Sequence, residues 1–499
     1  MEIYGKYGGA KAHEITSFGQ HKGIFMIEKN TSICAVASGI GSNGEGIIRH
    51  EGITFFVPAC LPGEKVRFKV LKVKGNIGYG KVEEILTPAE ERARAKCPVF
   101  SRCGGCCLQH LEYSAQLRHK SNVVKDALRK IAGLQIDVPL TVKSDLAYGY
   151  RNKLQLPVGV DKTGETVIGF YAERSHRIVA VDACAIHPEW AEKLIALIKR
   201  YMSECRVKGY DEERKTGCVR HIVAREIGGK FLVTLVVAHT ELTGLKYLVE
   251  LLENALGTVT LYINVNDADT NVIFGKEFRL VHGDGFFEAE EQGIKYEAGP
   301  VTFLQVNENV RSKLYKDALK TVCETGDEVV VDAYSGGGLL TAMLAKRAKR
   351  VYGIELETEA SKCADSLKAK NNLQNMTNIC GAVEDKLPAV LKAEQGEKLR
   401  LILDPPRAGI ARSVLKALLE SGIEKLTLIS CNPATLARDL GILTGRLIEV
   451  DGELTKNPAY ENVAERETLS GFYEISRIQP YDMFPQTKHV ETLVCLTRK

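Results

Sequence analysis

Cys431 is the residue whose position most directly predicts chemistry. It lies in LISCNPATLARDL (residues 428–440), a pattern typical of a short apolar strand followed by a helix. One interpretation is a small core residue that falls next to a turn. The other is a nucleophile, because the thiolate of a cysteine at an open strand end can attack a substrate. The residues expected around Cys431 must decide between the two.

A glycine-rich turn follows another apolar strand. The sequence VVVDAYSGGGLLTAMLA (residues 329–345) predicts a strand, a tight turn and a helix, and its glycines allow the backbone to approach a ligand closely. The next strand ends in Glu355, roughly 20 residues further on, where a carboxylate can accept hydrogen bonds from two ribose hydroxyls. A dinucleotide or no ligand at all are the alternatives, but the loop lacks the spaced glycines that admit a pyrophosphate. S-adenosylmethionine has no phosphate and is therefore the expected cofactor.

Two carboxylates are expected near Cys431. The motif LDPPRAG places Asp404 at the tip of the preceding strand, and KHVETLVCLTR places Glu491 at the head of the last strand. A related motif with an aromatic residue after the two prolines is typical of enzymes that methylate the amino group of adenine. Arg407 occupies that position here, which argues against adenine.

These residues together fit methylation of uracil at carbon-5. A thiolate that adds to carbon-6 turns the ring into an enolate, whose carbon-5 can then accept a methyl group from a sulfonium. The carbon-5 proton must leave afterwards, which requires a base. We therefore predict Cys431 as the nucleophile and Glu491 as the base. Because a free thiol is only ~3% ionised at pH 7, we also expect positive character around Cys431, from the start of the helix that follows.

A second group of cysteines lies in CPVFSRCGGCCLQH. Five residues separate Cys97 from Cys103, and two separate Cys103 from Cys106. Thiolates this close in sequence can share one inorganic cluster. Zinc is the alternative, although no second Cys-x-x-Cys pair or obvious histidine partner is present. Cys107 is left out, because a side chain adjacent to Cys106 does not easily point the same way.

The composition bounds the class of protein. The chain has 499 residues, 44% of them hydrophobic and 26% charged, which is typical of globular proteins with more than one domain. It contains no apolar run of about 18 residues, and its first residues lack the basic-then-apolar order of a signal peptide. We therefore expect a cytoplasmic protein without a membrane-spanning segment. Its 14 cysteines would be reduced there, which favours metal binding or catalysis over disulfides.

The elements that must position these residues fall into five segments. Residues 1–32 have little periodicity and predict a loosely ordered extension. Residues 33–88 predict short strands split by Gly and Pro, typical of a small antiparallel OB-like barrel. Residues 65–81 contain six Lys or Arg and no acid, which indicates either a nucleic-acid platform or a merely solvated face.

The other three segments continue to the end of the chain. Residues 89–135 hold the cysteines and a basic stretch expected to be helical over 113–134. Residues 136–298 predict mostly strands. Residues 299–499 alternate apolar strands with helices, which predicts a Rossmann-like α/β domain whose parallel sheet is covered on both faces.

The chain resembles the RNA uracil-C5 methyltransferases, in particular the branch that modifies bacterial 23S ribosomal RNA, from about residue 33 to the end. The motifs that carry the resemblance are FLQVN (303–307), DAYSGGG, GIE, LDPPRAG, SCNPATLARDL and HVET. The resemblance implies that four residues bind S-adenosylmethionine or line its pocket: Gln305, Tyr334, Glu355 and Asp404. It also implies Cys431 as nucleophile and Glu491 as proton acceptor. One departure is that the family's loop often ends in Gly-x-Gly-Asn, whereas Leu339 replaces the asparagine here.

The same resemblance implies a TRAM-like barrel and a [4Fe–4S] cluster in a central β-rich domain. Its ligands would be Cys97, Cys103, Cys106 and the distant Cys184. Three basic residues lie in segments similar to those that face RNA in the family, where contacts to phosphate and purely structural roles are both open: Arg151, Lys153 and Arg220. The target uracil would have to swing out of its stack into a crevice between domains.

We therefore expect a monomer that methylates a uridine of 23S ribosomal RNA, using S-adenosylmethionine. Transfer RNA is the nearest alternative substrate, although the simpler transfer-RNA members of the family typically lack both the barrel and the cluster. A non-catalytic iron–sulfur protein that binds RNA is a second alternative, and it would be indifferent to loss of Cys431. Cytosine methylation is disfavoured, because its enzymes usually carry Pro-Cys or Thr-Cys where this chain has Ser430 before Cys431.

Overall fold

The computed structural model describes residues 27–460 and 468–499. The N-terminal extension expected over residues 1–32 therefore lies mostly outside the described residues. The described chain forms a closed barrel, a central seven-stranded sheet and a second seven-stranded sheet. Within these ranges, no helix has the length and the apolar character that a membrane crossing requires.

The barrel is the OB-like unit that the Gly- and Pro-split strands predict. Its strands are β1 (Ser32–Ile40), β2 (Gly46–His50), β3 (Ile53–Val57), β4 (Lys65–Lys74) and β5 (Ile77–Thr87). They close in the order β1-β2-β3-β5-β4. The expectation of a wholly antiparallel barrel is wrong at one pair, because β3 and β5 run parallel. The aromatic core explains Gly78, where a Cβ atom would lie 2.3 Å from the ring of Phe55.

The basic face of the barrel is partly neutralised. Val66, Phe68 and Val70 are buried, so the predicted alternation along β4 is confirmed. However, Arg67 donates to the Glu84 carboxylate on the neighbouring strand β5 at 2.5 Å. Residues 65–81 contain no acid, but the pairing of β4 with β5 places the Glu84 carboxylate next to Arg67.

The basic segment after the cysteines is helical, as predicted, over α1 (Tyr113–Ala127), and continues as a π-helical turn (Leu128–Ala132). Val124 and Leu128 share a core with Leu436 and Leu440 of the C-terminal part of the chain. The helix therefore packs against the C-terminal α/β domain, although it follows the cysteine segment in the sequence.

The central sheet has the order β12-β11-β10-β9-β6-β7-β8. Its strands are β6 (Lys153–Val160), β7 (Thr166–Tyr171), β8 (Ile178–Ala180), β9 (Val219–Ile227), β10 (Lys230–Val237), β11 (Val259–Val265) and β12 (Glu277–His282). The prediction of mostly strands missed two helices, α2 (Glu189–Glu204) and α3 (Leu245–Leu256). The spacing of buried Leu194, Ile198 and Tyr201 along α2 is the helical signal that was available.

A hairpin and a helix lead into the C-terminal sheet. They are β13 (Phe287–Glu291), β14 (Ile294–Ala298) and α4 (Glu308–Val322). The elements that follow are β15 (Val329–Ala333), α5 (Leu339–Ala345), β16 (Arg350–Glu355), α6 (Thr358–Lys370), β17 (Met376–Cys380), α7 (Val383–Ala393), β18 (Leu399–Leu403), α8 (Arg412–Ser421), β19 (Lys425–Ser430), α9 (Pro433–Leu443), β20 (Leu447–Val450), β21 (Glu453–Lys456), β22 (Tyr473–Tyr481) and β23 (Glu491–Arg498).

The order of the C-terminal sheet, β17-β16-β15-β18-β19-β23-β22, determines where a ligand can bind. Strand β15 pairs in parallel with both β16 and β18, so the order reverses there, and ligands of such sheets bind outside the strand ends at the reversal. The prediction of a wholly parallel sheet is wrong for β23, which pairs antiparallel to β19. Because β23 runs antiparallel to β19, the first residue of β23 lies next to the end of β19.

Candidate active site

A cavity of about 580 Å³ opens at the carboxyl ends of β15, β18 and β19. We call it the strand-end cavity. Five of the six site residues predicted from the sequence line it: Gln305, Tyr334, Asp404, Cys431 and Glu491. The fold thus brings together side chains that are up to 186 positions apart in the chain, between 305 and 491.

Glu355 is the predicted site residue that does not line this cavity. One of its carboxylate oxygens accepts a hydrogen bond from the Gly336 N–H and the other from the Glu357 N–H, both at 2.8 Å. Glu355 therefore fixes the glycine turn in this structure. It lies at the end of β16, directly beside the loop that does line the cavity.

The glycine turn has the backbone conformation that its sequence predicts. Gly336 and Gly338 have φ values of +55° and +80°, in the left-handed region. Tyr334 also has a positive φ, +68°, which costs free energy for a residue with a Cβ atom. Its N–H donates to the Ile354 carbonyl at 3.0 Å. Such strain is typical of a binding loop, and Tyr334 lines the cavity.

Three acidic groups share the floor of the strand-end cavity. Burial raises the pKa of Asp404 to about 7 and that of Asp332 to about 7, although the Thr341 hydroxyl donates to Asp332 at 2.6 Å. Burial, with the charge of Asp404 added, raises the pKa of Glu491 to about 8. Glu491 is 3% exposed. Sequence reasoning missed Asp332, although an acid at the end of a buried apolar strand was a usable signal.

The surroundings of Cys431 differ from the expected positive environment. Burial and the nearby Glu491 raise the pKa of the Cys431 thiol, and the Arg407 guanidinium opposes them only in part. The helix that follows is capped by Asn432, whose side chain accepts from the Ala434 N–H at 3.0 Å. The expected positive character is therefore supplied in part by Arg407, but burial and Glu491 outweigh it.

A second opening, of about 1050 Å³, reaches Cys431 from the other side. We call it the helix groove, because it runs between the barrel and α1. Basic side chains on its walls outnumber the two acids, Glu91 and Asp126. The basic side chains are Arg118, Lys125, Lys130, Arg407 and Lys488.

The strand-end cavity and the helix groove meet at three side chains, Arg407, Cys431 and His489. Cys431 therefore lies between the two spaces and lines both. Sequence reasoning did not find His489, which precedes Glu491 by two positions. Burial lowers the pKa of His489 to about 4, so its imidazole is neutral near pH 7.

The three basic residues predicted to face RNA separate into two groups. Arg151 and Lys153 line the strand-end cavity, where burial lowers the pKa of Lys153 to about 8. Arg220 is buried, and it donates to the carbonyls of Asn266 and Ala268 at 2.8 Å each. Of the roles left open for Arg220, the structure therefore supports the structural one.

The four cysteines proposed as cluster ligands line one small cavity of about 80 Å³. We call it the cysteine cavity. Burial raises the pKa of Cys106 to about 12 and that of Cys184 to about 11. Cys107 is not on its wall and lies instead near Gly44 of the barrel. In the described ranges, no group of three or more His, Cys, Asp or Glu side chains is arranged so that it could hold a metal ion.

Comparison with known proteins identifies relatives of the whole chain. The sequence model of the family described as tRNA (Uracil-5-)-methyltransferase matches residues 112–447. An RNA methyltransferase of Clostridium tetani is 36% identical over 94% of this chain and 97% of its own length. Another, of Halalkalibacterium halodurans, is 36% identical over 95% of this chain and 98% of its own.

One solved structure resembles the chain over nearly its full length. It is the Pyrococcus abyssi tRNA (uracil-54, C5)-methyltransferase in complex with S-adenosyl-L-homocysteine, with a TM-score of 0.71 and 25% identity, covering 93% of this chain and 99% of that one. Sequence and architecture therefore agree. The chain belongs to the tRNA (uracil-5-)-methyltransferase family and is an RNA (uracil-C5)-methyltransferase.

Proposed function

We propose that the enzyme transfers the methyl group of S-adenosylmethionine to carbon-5 of a uridine in 23S ribosomal RNA. The observation that carries the proposal is the position of Cys431, which lines both the strand-end cavity and the helix groove. A methyl donor in the first space and a flipped uracil entering from the second would meet at this sulfur atom.

The strand-end cavity is the proposed cofactor site. It lies at the reversal of the strand order, where this class of fold binds ligands, and the similar Pyrococcus abyssi enzyme was solved with S-adenosyl-L-homocysteine. Gln305, Tyr334 and Asp404 would contact the cofactor, with Glu355 holding the glycine turn or, after a side-chain rotation, binding the ribose. When bound, the cofactor supplies a methyl group activated by a positively charged sulfur.

The residues of the chain then account for the remaining steps. The Cys431 thiol gives its proton to solvent, its sulfur bonds to carbon-6, and the electrons of the carbon-5–carbon-6 double bond move into an enolate, which makes carbon-5 nucleophilic. After carbon-5 has accepted the methyl group, the Glu491 carboxylate removes the carbon-5 proton. The electrons of that C–H bond restore the ring double bond as the carbon–sulfur bond breaks, and the thiolate is released. Arg407, adjacent to both residues, would stabilise the negative charge that develops.

The helix groove is the proposed path of the RNA. Its excess of basic side chains fits a phosphate backbone, and it leads from the barrel across α1 to Cys431. The barrel tip faces this path, because the Lys488 ammonium donates to Asn43 of the barrel at 2.8 Å. Arg151 and Lys153 would contact phosphates or the flipped base from the opposite wall.

Transfer RNA is a second candidate substrate, favoured by one observation. The similar Pyrococcus abyssi enzyme acts on transfer RNA. Its match covers 93% of this chain, and the unmatched residues are fewer than those of the barrel, so the match includes part of the barrel. The presence of a barrel therefore does not separate the two substrates.

The experiment is to offer ribosomal and transfer RNA from a deletion strain to the purified enzyme and to map the methylated base. We expect methyl in 23S ribosomal RNA, and methyl confined to transfer RNA would overturn this assignment.

We also propose that Cys97, Cys103, Cys106 and Cys184 hold a [4Fe–4S] cluster. Four thiols around one cavity fit a cluster of four irons. Zinc is the alternative occupant, because four thiolates can also bind a single zinc ion, and metal analysis separates the two.

Iron analysis tests the cluster. We expect anaerobically purified protein to be brown and to contain about four irons per chain. Cys184→Ser should lose most of the iron, whereas Cys107→Ser, adjacent in sequence to a ligand but off the cavity wall, should keep it. Stoichiometric zinc without iron, or equal iron loss in both variants, would refute the assignment.

A further inference from the structure

The loop between β22 and β23, residues 482–490, leads directly into the catalytic residues. It contributes Phe484 and His489 to the strand-end cavity and Lys488 to the helix groove, and Glu491 is the first residue after it. Glu491 also pairs with Tyr481 of β22, so the base lies where the loop joins the sheet, and a displaced loop would shift its carboxylate.

Gln486, in the middle of the loop, makes two hydrogen bonds to the Gln116 side chain, and its own Nε2 donates to the Ala147 carbonyl at 3.3 Å. Its N–H donates to Oε1 of Gln116 at 3.1 Å, and its Oε1 accepts from Nε2 of Gln116 at 2.9 Å. Both side chains are 1% exposed. Gln486 has a φ of +69°, a conformation that costs free energy for a residue with a Cβ atom and that needs such contacts to persist.

Gln116 is itself fixed to the segment that follows the cysteines. Its Nε2 lies within hydrogen-bonding distance of the carbonyls of Leu108, at 3.0 Å, and Leu111, at 2.8 Å, so its two hydrogens are shared among these carbonyls and Gln486 Oε1. In the same segment, the N–H groups of Cys107 and Leu108 donate to the Gln486 carbonyl at 3.1 and 3.0 Å. Gln116 thus connects α1, the cysteine segment and the loop.

The first half of the loop has other anchors. The Lys120 ammonium donates to the Asp482 carboxylate at 2.5 Å and to the Phe484 carbonyl at 3.0 Å, and the Tyr150 hydroxyl donates to the Pro485 carbonyl at 3.0 Å. Loss of the Gln116 side chain would leave these contacts in place. Its effect should therefore centre on Gln486 and reach Glu491 through residues 487–490, where the Lys488 ammonium still donates to Asn43 at 2.8 Å.

We propose that Gln116 is a positioning residue for the proton-removal step, acting through Gln486 on the placement of Glu491. The proposal rests on the proposed role of Glu491 as base. A base must lie within hydrogen-bonding reach of the proton it removes, and a displacement of about 1 Å can slow a step roughly 100-fold.

The expected defect is specific to one step. Addition of Cys431 and methyl transfer precede proton removal, so a displaced base allows both and then slows release of the product. Methylated RNA bonded to Cys431 should accumulate. A general folding defect would instead reduce formation of this adduct.

The test is the fraction of enzyme bonded to methyl-labelled RNA after denaturation at steady state. We expect Gln116→Ala to raise this fraction roughly 10- to 100-fold with unchanged binding of S-adenosylmethionine. Ser121→Ala is the control, because Ser121 is buried on the same helix but bonds to Leu117 and Thr141 instead of the loop. Wild-type adduct levels in Gln116→Ala, or equal accumulation in the control, would overturn the proposal.

Further variants separate the possible causes. Gln116→Met keeps the volume without the hydrogen bonds and serves if the alanine variant does not fold. Gln486→Ala removes only the bond from Gln116 Nε2, since the backbone N–H of residue 486 can still donate to Gln116, so it should accumulate adduct but less than Gln116→Ala. Glu491→Gln is the reference: if it accumulates no adduct, the assignment of the base fails, whereas accumulation there but not in Gln116→Ala refutes the positioning role alone.

Discussion

Replacing Cys431 with alanine should abolish methylation and covalent capture of the RNA together. Without the thiolate, carbon-5 of uracil never becomes nucleophilic, because no other cysteine occupies the junction of the strand-end cavity and the helix groove in the described ranges. We expect the rate of methyl transfer to fall by a factor on the order of 10⁴ or more, as when a covalent nucleophile is removed. Binding of S-adenosylmethionine should remain, since its proposed contacts lie elsewhere in the cavity.

RNA that contains 5-fluorouracil provides the measurement. Fluorine at carbon-5 cannot leave as a cation, so the wild-type enzyme should methylate the ring and then stay bonded to it through carbon-6. Cys431→Ala should form no such complex. Cys495→Ala, a change on β23 away from both openings, should form it at the wild-type level. Capture by Cys431→Ala, or turnover of normal RNA without capture of the fluorinated one by the wild type, would contradict the proposed nucleophile.

That the site residues meet in the fold was predictable, because they lie at the ends of strands. Asp404 and Cys431 each follow an apolar strand of a sheet whose neighbours run parallel, so their side chains had to meet at one edge. Glu491 was found from its position at the head of the last strand. The direction of that strand was not predicted, because an apolar strand has the same sequence pattern in a parallel and in an antiparallel pair. The antiparallel pairing of Ser430 with Thr492 is what brings Glu491 to the thiol.

The electrostatics and the supporting contacts were beyond the sequence pattern. The raised pKa values of Asp404 and Glu491 arise from burial, which depends on packing between segments far apart in the chain. Gln116 and Gln486 are 370 positions apart and carry no motif that predicts their pairing. Arg220 shows a second limit of prediction from sequence. A basic residue on a strand has the same sequence pattern whether its side chain contacts RNA or donates to buried carbonyls.

Replacing Glu491 with glutamine should stop the reaction after methyl transfer. Glutamine keeps the size of the side chain but cannot accept the carbon-5 proton, so the methylated adduct on Cys431 should persist and turnover should fall roughly 10²- to 10⁴-fold. Burial and Asp404 raise the pKa of Glu491 to about 8, and only the ionised form accepts a proton. Breakdown of the wild-type adduct should therefore speed up as the pH rises, and level off above about 8.

Single-turnover kinetics can isolate that step, because the adduct is formed first and its decay is then followed at each pH. The raised pKa of the Cys431 thiol affects formation of the adduct and not its decay, whereas Asp404 and Asp332, whose pKa values are also raised, remain in the cavity in every variant. The difference between the wild type and Glu491→Gln therefore assigns the rise to Glu491. The rise should be missing in Glu491→Gln and intact in Glu474→Gln, a carboxylate near the far end of the neighbouring strand that pairs with Lys499. If Glu491→Gln released its product at the wild-type rate with the same pH dependence, the proton would have to leave through another group, and Asp404 would be the next carboxylate to test.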